Sequence, residues 1–374
     1  MKDYFRKNKS VRFSFPIDGD CINSGDGVRK DDDLIVKVKV CAPAGAEIFV
    51  NDVKAEFNGS EHEADIRFRS YRTSLTAMDK ISGETDTIAV YKFADPEKKF
   101  RLSVDDNILF FKDIAEKQAE YKSLFDNPYL KMYKRAHEDT GVCVHLNLFY
   151  ENFRDTEKAG YFNLSMMPDK YKSEWEANSD WLRLSFHSRT NDYWPYKHTG
   201  HTLITEECEK VHREILRFAG EKSLAKTTTL HFGSTNITGV RALRTLAYQN
   251  LAGYFEFDNE GNTLVSYHYP KDLVTYVGNR DFWRDTEEDI TFCRIDRVLN
   301  LDKTVEGNLK FVKDVFSNPT RGKFIELMIH EEYFYPDYGA YIPEFGNIVY
   351  ESCKWLKEQL SLIHISEPTR RVVI

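Results

Sequence analysis

The run Phe100-Arg-Leu-Ser-Val104 leads straight into two adjacent carboxylates, Asp105 and Asp106, followed by Asn107. Neighbouring side chains on a strand point to opposite faces, so the two acids are expected to do different jobs, one binding a metal and the other serving as a base. Asp-Asp-Asn is also ordinary turn chemistry, and taken alone the triplet reads as a turn more often than as a site. What shifts the weight is the rest of the chain. Other apolar runs end in Tyr150 and Glu151, in His187, in His231, and in His330 with Glu331 and Glu332. One His at a strand end is usually structural. Three of them, together with an Asp pair, make a donor set of imidazole and carboxylate suited to Zn²⁺ or another first-row divalent ion.

Elements must bring these residues together. From Phe100 onward, apolar runs alternate with helical patterns: Asn127-Pro128 caps a helix that stops at Gly141, Val142–Tyr150 is a strand, Trp181–Phe186 is another, and Thr205 caps a helix ended by Gly220. Strands are expected at Thr227–Phe232, Leu251–Phe257, Thr291–Ile295 and Phe324–His330, with helices at 238–246, 304–316 and 344–359. Such alternation predicts a parallel sheet, and its seven to eight units predict a closed β/α barrel, with chemistry at the C-terminal strand ends. Residues 1–98 read instead as short alternating strands separated by turn clusters, a small β-sandwich. There Ala46-Glu-Ile-Phe-Val-Asn-Asp-Val53 resembles the strand-turn-strand of Ig-like accessory modules. The expected division is therefore 1–98 for the sandwich and 99–360 for the barrel, with Asp95-Pro-Glu-Lys-Lys99 as linker. Residues 361–374 read as a non-native tail, because Ser361-Leu-Ile-His-Ile-Ser-Glu-Pro-Thr-Arg370 looks like translated sequencing adapter, and His364 is given no role.

On these motifs the segment from Phe100 to about Gln359 resembles a divergent polysaccharide deacetylase of the glycoside hydrolase/deacetylase barrel superfamily. The resemblance implies Asp105 as base and Asp106 as metal ligand. Phe186-His187-Ser188 matches the first half of the family's second motif, which makes His187 a ligand, but Asn191 stands where a second His is expected. His198, His201 and His231 are the substitutes; His231, at the end of its own strand, is preferred. Leu230-His-Phe-Gly-Ser234 replaces the family's Arg-Pro-Tyr motif. Leu327-Met-Ile-His330 matches its last, implying that His330 protonates the leaving group. The implied activity is metal-dependent removal of N- or O-acetyl groups from a poly- or oligosaccharide, with zinc as the expected ion. Tyr150, Glu151, Arg189, Trp194, Asp296 and Glu331 are the expected substrate-binding residues.

Composition bounds the alternatives. The chain has 374 residues, a formal net charge of −8 and no basic stripe, which argues against nucleic acid as a partner. Six scattered Cys without a C-x-x-C argue against a zinc finger or a disulfide framework. No run approaches the length of a membrane helix, and no apolar segment follows the N-terminus, so a cytoplasmic location is expected. Two other functions compete: a metal-free glycoside hydrolase pairing Asp105 or Glu151 with Glu331 or Glu332, and a barrel that binds carbohydrate without turning it over.

Overall fold

The computed structural model describes residues 3–93, 98–152, 160–319 and 321–362. Residues 95–97 of the expected linker and residues 363–374, with His364, lie outside the described residues. Two five-stranded sheets occupy the N-terminal stretch. One contains β1 (Arg12–Phe15), β3 (Gly27–Lys30), β4 (Asp33–Cys41), β7 (Glu56–Phe57) and β8 (His62–Phe68). The other contains β2 (Cys21–Ile22), β5 (Ile48–Val50), β6 (Val53–Lys54), β9 (Arg72–Asp79) and β10 (Thr85–Lys92). Leu34, Val36, Val38 and Val40 alternate inward along β4 and meet Leu75, Ala77, Ile88 and Val90 of the second sheet in one apolar core.

The remaining strands run mostly parallel. β11 (Lys99–Asn107) lies between β12 (Val144–Phe149) and β21 (Phe324–His330), with β13 (Leu182–Ser188) beyond β12 and β20 (Arg297–Val298) beyond β21. A second sheet places β14 (Thr227–Thr228), β15 (Asn250–Gly253) and β19 (Ile290–Arg294) in parallel, with β18 (Phe282–Asp285) antiparallel on its edge. β16 (Glu256–Phe257) and β17 (Thr263–Leu264) form a separate hairpin. The two parallel sheets touch at both ends. Ala225 N donates to Leu184 O at 2.8 Å on one side, and on the other Ile295 N donates to Gly253 O at 2.7 Å while Asp296 N donates to Glu326 O at 2.9 Å. Leu102, Val104, Leu146, Leu148, Leu184 and Phe186 are buried on one face and Ser103, Asn147 and Ser185 on the other, so these strands are covered on both sides.

Local chemistry sets where elements stop. In the helix Pro128–Thr140, Asn127 Oδ1 accepts from Leu130 N at 3.1 Å, and Gly141 ends it in the left-handed region at φ 74°. The helix expected to be capped by Thr205 instead begins at His201, and the Thr205 hydroxyl bonds back to His201 O at 2.9 Å from inside it. The strand expected over 227–232 ends at Thr228, because Phe232 and Gly233 both turn at positive φ; the one expected over 251–257 ends at Gly253, ahead of Phe255 at φ 51°. No described helix is long and apolar enough to cross a membrane.

Candidate metal centre

A bulge places the two acids. Along β11 and β12, Val104 pairs with Leu146 but Asn107 with Leu148, so three steps on one strand face two on the other. Asp106 takes the extra residue at φ 64°, a conformation Asp tolerates better than most side chains. The expected alternation of faces is therefore overridden, and both carboxylates act on the same imidazole. Burial pulls the His187 pKa down, but the charges of Asp105 and Asp106 more than offset it, leaving the group raised.

His187, at the end of β13, comes within 3.0 Å of Asp106 Oδ1 through Nε2. Its Nδ1 lies 2.5 Å from the Thr229 carbonyl, so Nδ1–H donates there and Nε2 is turned to Asp106. His231 follows β14, its Nδ1 3.0 Å from His187 Nε2 and 3.3 Å from Asp106 Oδ1. One donor atom from each of Asp106, His187 and His231 lies within 4.8 Å of the others. Phe149 walls the group, its ring 5.3 Å from that of His187 and 5.1 Å from that of His231.

This set fits a divalent cation. Asp106 Oδ1 is buried with no aligned hydrogen bond despite the two close imidazoles. Leaving such groups unsatisfied is costly, and a cation at the point of convergence would satisfy the oxygen and both facing nitrogens. At Asp106 and His231 the protonation states suit ligation too. Burial raises the Asp106 pKa, but contacts with His187 and His231 and the charge of His330 hold it well below the carboxylate range. Burial keeps His231 below the usual imidazole value.

Asp105 is buried and accepts from Asn147 Nδ2 at 2.6 Å through Oδ1. It pairs in register with His330 on β21. The His330 ring is fixed by Asn300, whose Oδ1 lies 2.9 Å from Nδ1 and also accepts the His330 backbone N–H at 3.3 Å. Neither Asn147 nor Asn300 was foreseen as part of the site. Asn147 had a signal, a lone amide between Leu146 and Leu148 in an apolar strand; Asn300 lies in a turn with none. Tyr333 and Tyr338 also lie near enough for the Asp106 charge to help raise their hydroxyl pKa values, behind the larger effects of burial and Glu332.

The expected substrate-binding residues divide. Glu151 accepts from Arg189 Nε at 2.7 Å and from the Tyr161 hydroxyl at 2.9 Å, while Tyr150 packs half-buried against the main core. Trp194 stacks on Phe232, with Lys197 Nζ 4.3 Å from its ring. Two expectations are corrected. Glu331 is fully buried and caps the helix Leu109–Glu116, accepting from the backbone N–H groups of Ile108, Leu109 and Phe110 at 2.5, 2.8 and 2.6 Å. Its chain neighbour His330 reaches the strand end, but the carboxylate turns to the helix N-terminus, where it is most favoured. Asp296 sits beside Glu326, which pairs with Arg101, four residues below the Asp105–His330 level. At about 3.3 Å per residue that is some 13 Å from the site.

No family model and no curated protein matches the chain. Among solved structures it is similar to the 4-alpha-glucanotransferase from Thermococcus litoralis, with a TM-score of 0.40 and 15% identity over 72% of this chain and 38% of that one. The chain thus spans well under half of that enzyme's length, and a likeness of this strength carries no conclusion about activity.

Proposed function

We propose that the chain is a metal-dependent hydrolase that removes N- or O-acetyl groups from a poly- or oligosaccharide, on a ring of seven strands, with β19 and β20 acting as one. The edge contacts that join the two parallel sheets support the ring. The observation that carries the activity is the convergence of Asp106, His187 and His231 beside the registered pair Asp105 and His330. Those three side chains would hold the ion, zinc by donor type. When bound, such an ion acidifies water and polarises a carbonyl oxygen.

The chain's own groups do the rest. Asp105, oriented by Asn147, takes the proton of the attacking water. His330, its Nδ1–H engaged by Asn300, donates a proton from Nε2 to the departing amine or alcohol. Water's hydroxyl ends on the acetyl carbon and a proton on the sugar, giving acetate and the free amine or alcohol. Of the glycosidase alternative's carboxylates, Glu331 is spent as a helix cap and Glu151 is tied to Arg189, which narrows that reading to Asp105 with Glu332.

The test is elemental analysis of untagged protein together with acetate release from acetylated oligosaccharides. About one zinc per chain, with acetate release lost to a chelator and restored by zinc, is expected. Turnover of an aryl glycoside by metal-stripped protein would favour the glycosidase instead.

A further inference from the structure

A group of aromatic rings lies beside the ligands. Tyr193 and Phe232 are large rings left 70% and 36% exposed, and Phe232 directly follows the ligand His231, their rings 4.3 Å apart. Tyr193 meets Phe232 edge to face at 5.1 Å and 65°. Trp194 stacks on Phe232 at 5.9 Å and 24°, which makes it the prop and the other two the presented surface. The backbone is strained to achieve this: Trp194 and Phe232 both sit at φ 57°, rare for bulky side chains and typical of functional segments. Polar groups flank the rings. Lys197 lies over Trp194, and Ser234 and His268 line a cleft with Trp194 and Phe232.

We propose that Tyr193 and Phe232 form a stacking subsite for a pyranose ring of a glycan, next to the metal centre. The inference rests on the hydrolase reading only for what happens to the acetyl group; the subsite itself requires no ion. Contiguous exposed rings cost solvation unless something covers them. A pyranose fits because its C–H face is apolar and lies flat on a ring, while its hydroxyls meet polar groups such as Lys197 and Ser234.

The experiment uses calorimetric titration of metal-stripped full-length protein with N-acetyl-chitotetraose, and separately with an acetyl-lysine peptide. Wild type is expected to bind the saccharide and not the peptide. Tyr193→Ala and Phe232→Leu should each weaken saccharide binding about tenfold or more, as expected for losing one buried ring face. Tyr193 is too exposed for its loss to unfold the chain, and circular dichroism checks Phe232→Leu. Wild-type affinity in both variants, failure of wild type to bind the saccharide, or preference for the peptide would each overturn the subsite. Zinc stoichiometry, measured separately, reports on the hydrolase reading alone.

Discussion

Asp105 and Asp106 are chemically identical neighbours, and their surroundings alone assign them different tasks. Asp106 Oδ1 faces two imidazoles, whereas Asp105 Oδ1 is held by an amide. Asp106→Asn removes the ligand charge while keeping its shape, so zinc affinity measured by competition with a chromophoric chelator should fall roughly 10-fold or more. Asp105→Asn should retain zinc at one equivalent and lose acetate release, because the amide cannot accept the proton. Loss of zinc from Asp105→Asn would mean the two roles are reversed. His330→Ala should slow turnover by about 10²–10⁴-fold, the range for a missing general acid, with zinc content unchanged. Residue types made Asp105, Asp106, His187, His231 and His330 legible as a set, because few other functions gather imidazoles and acids at strand ends. Asn300 was not legible, because nothing about a turn amide 30 positions upstream announces that it will meet His330.

Strand periodicity predicted β11, β12, β13 and β21 well, yet the site depends on the places where periodicity breaks. The triplet Asp105-Asp106-Asn107 reads as a turn after Val104, and only pairing with β12 shows that the strand continues through a bulge there. Likewise 227–232 reads as one strand, but His231 is delivered by a turn through Phe232 at φ 57° and Gly233 at φ 51°. Gly233 also has no room for a side chain. A Cβ there would lie 2.5 Å from Val265 Cγ1 and 2.8 Å from Val265 Cα, against backbone that cannot yield cheaply. Gly233→Ala should therefore displace His231 and cost about 1–3 kcal/mol in folding stability, the usual penalty for overpacking. The check is a pair of measurements, urea midpoint and zinc affinity. If both match wild type, the turn does not position the ligand.

Across the whole molecule, the N-terminal and parallel sheets meet over a shared apolar cluster containing Cys21, Tyr91, Ala252, Phe282, Cys293 and Met328. Arg280 brackets it, donating to Asp20 Oδ1 and Asp26 Oδ2, each at 2.9 Å. Alternating strands give way to strand-helix patterning near residue 98 in the sequence, but partners 260 positions apart such as Asp20 and Arg280 share no local signal. The same holds for Asp296, whose register only the fold reveals. Burial raises Asp296 to about 7, with the nearby charge of Asp281 adding to the effect, and Arg294 Nε at 3.9 Å is too far to offset it. The proton stays on the folded chain after the unfolded chain has lost it near the ordinary Asp value. Its contribution is therefore fully present below about pH 4 and is lost as pH rises through about 7, amounting to some 4 kcal/mol at most. Asp281, raised by burial to about 6 and accepting from Gly322 N at 2.6 Å, acts in the same direction over a narrower window. Asp296→Asn keeps the acceptor for Glu326 N, which is 3.0 Å from Oδ2 in the wild type, and cannot ionise. Urea midpoints of wild type should fall between pH 5 and pH 8, and those of Asp296→Asn should fall distinctly less. Parallel declines in the two proteins would place the titrating group elsewhere.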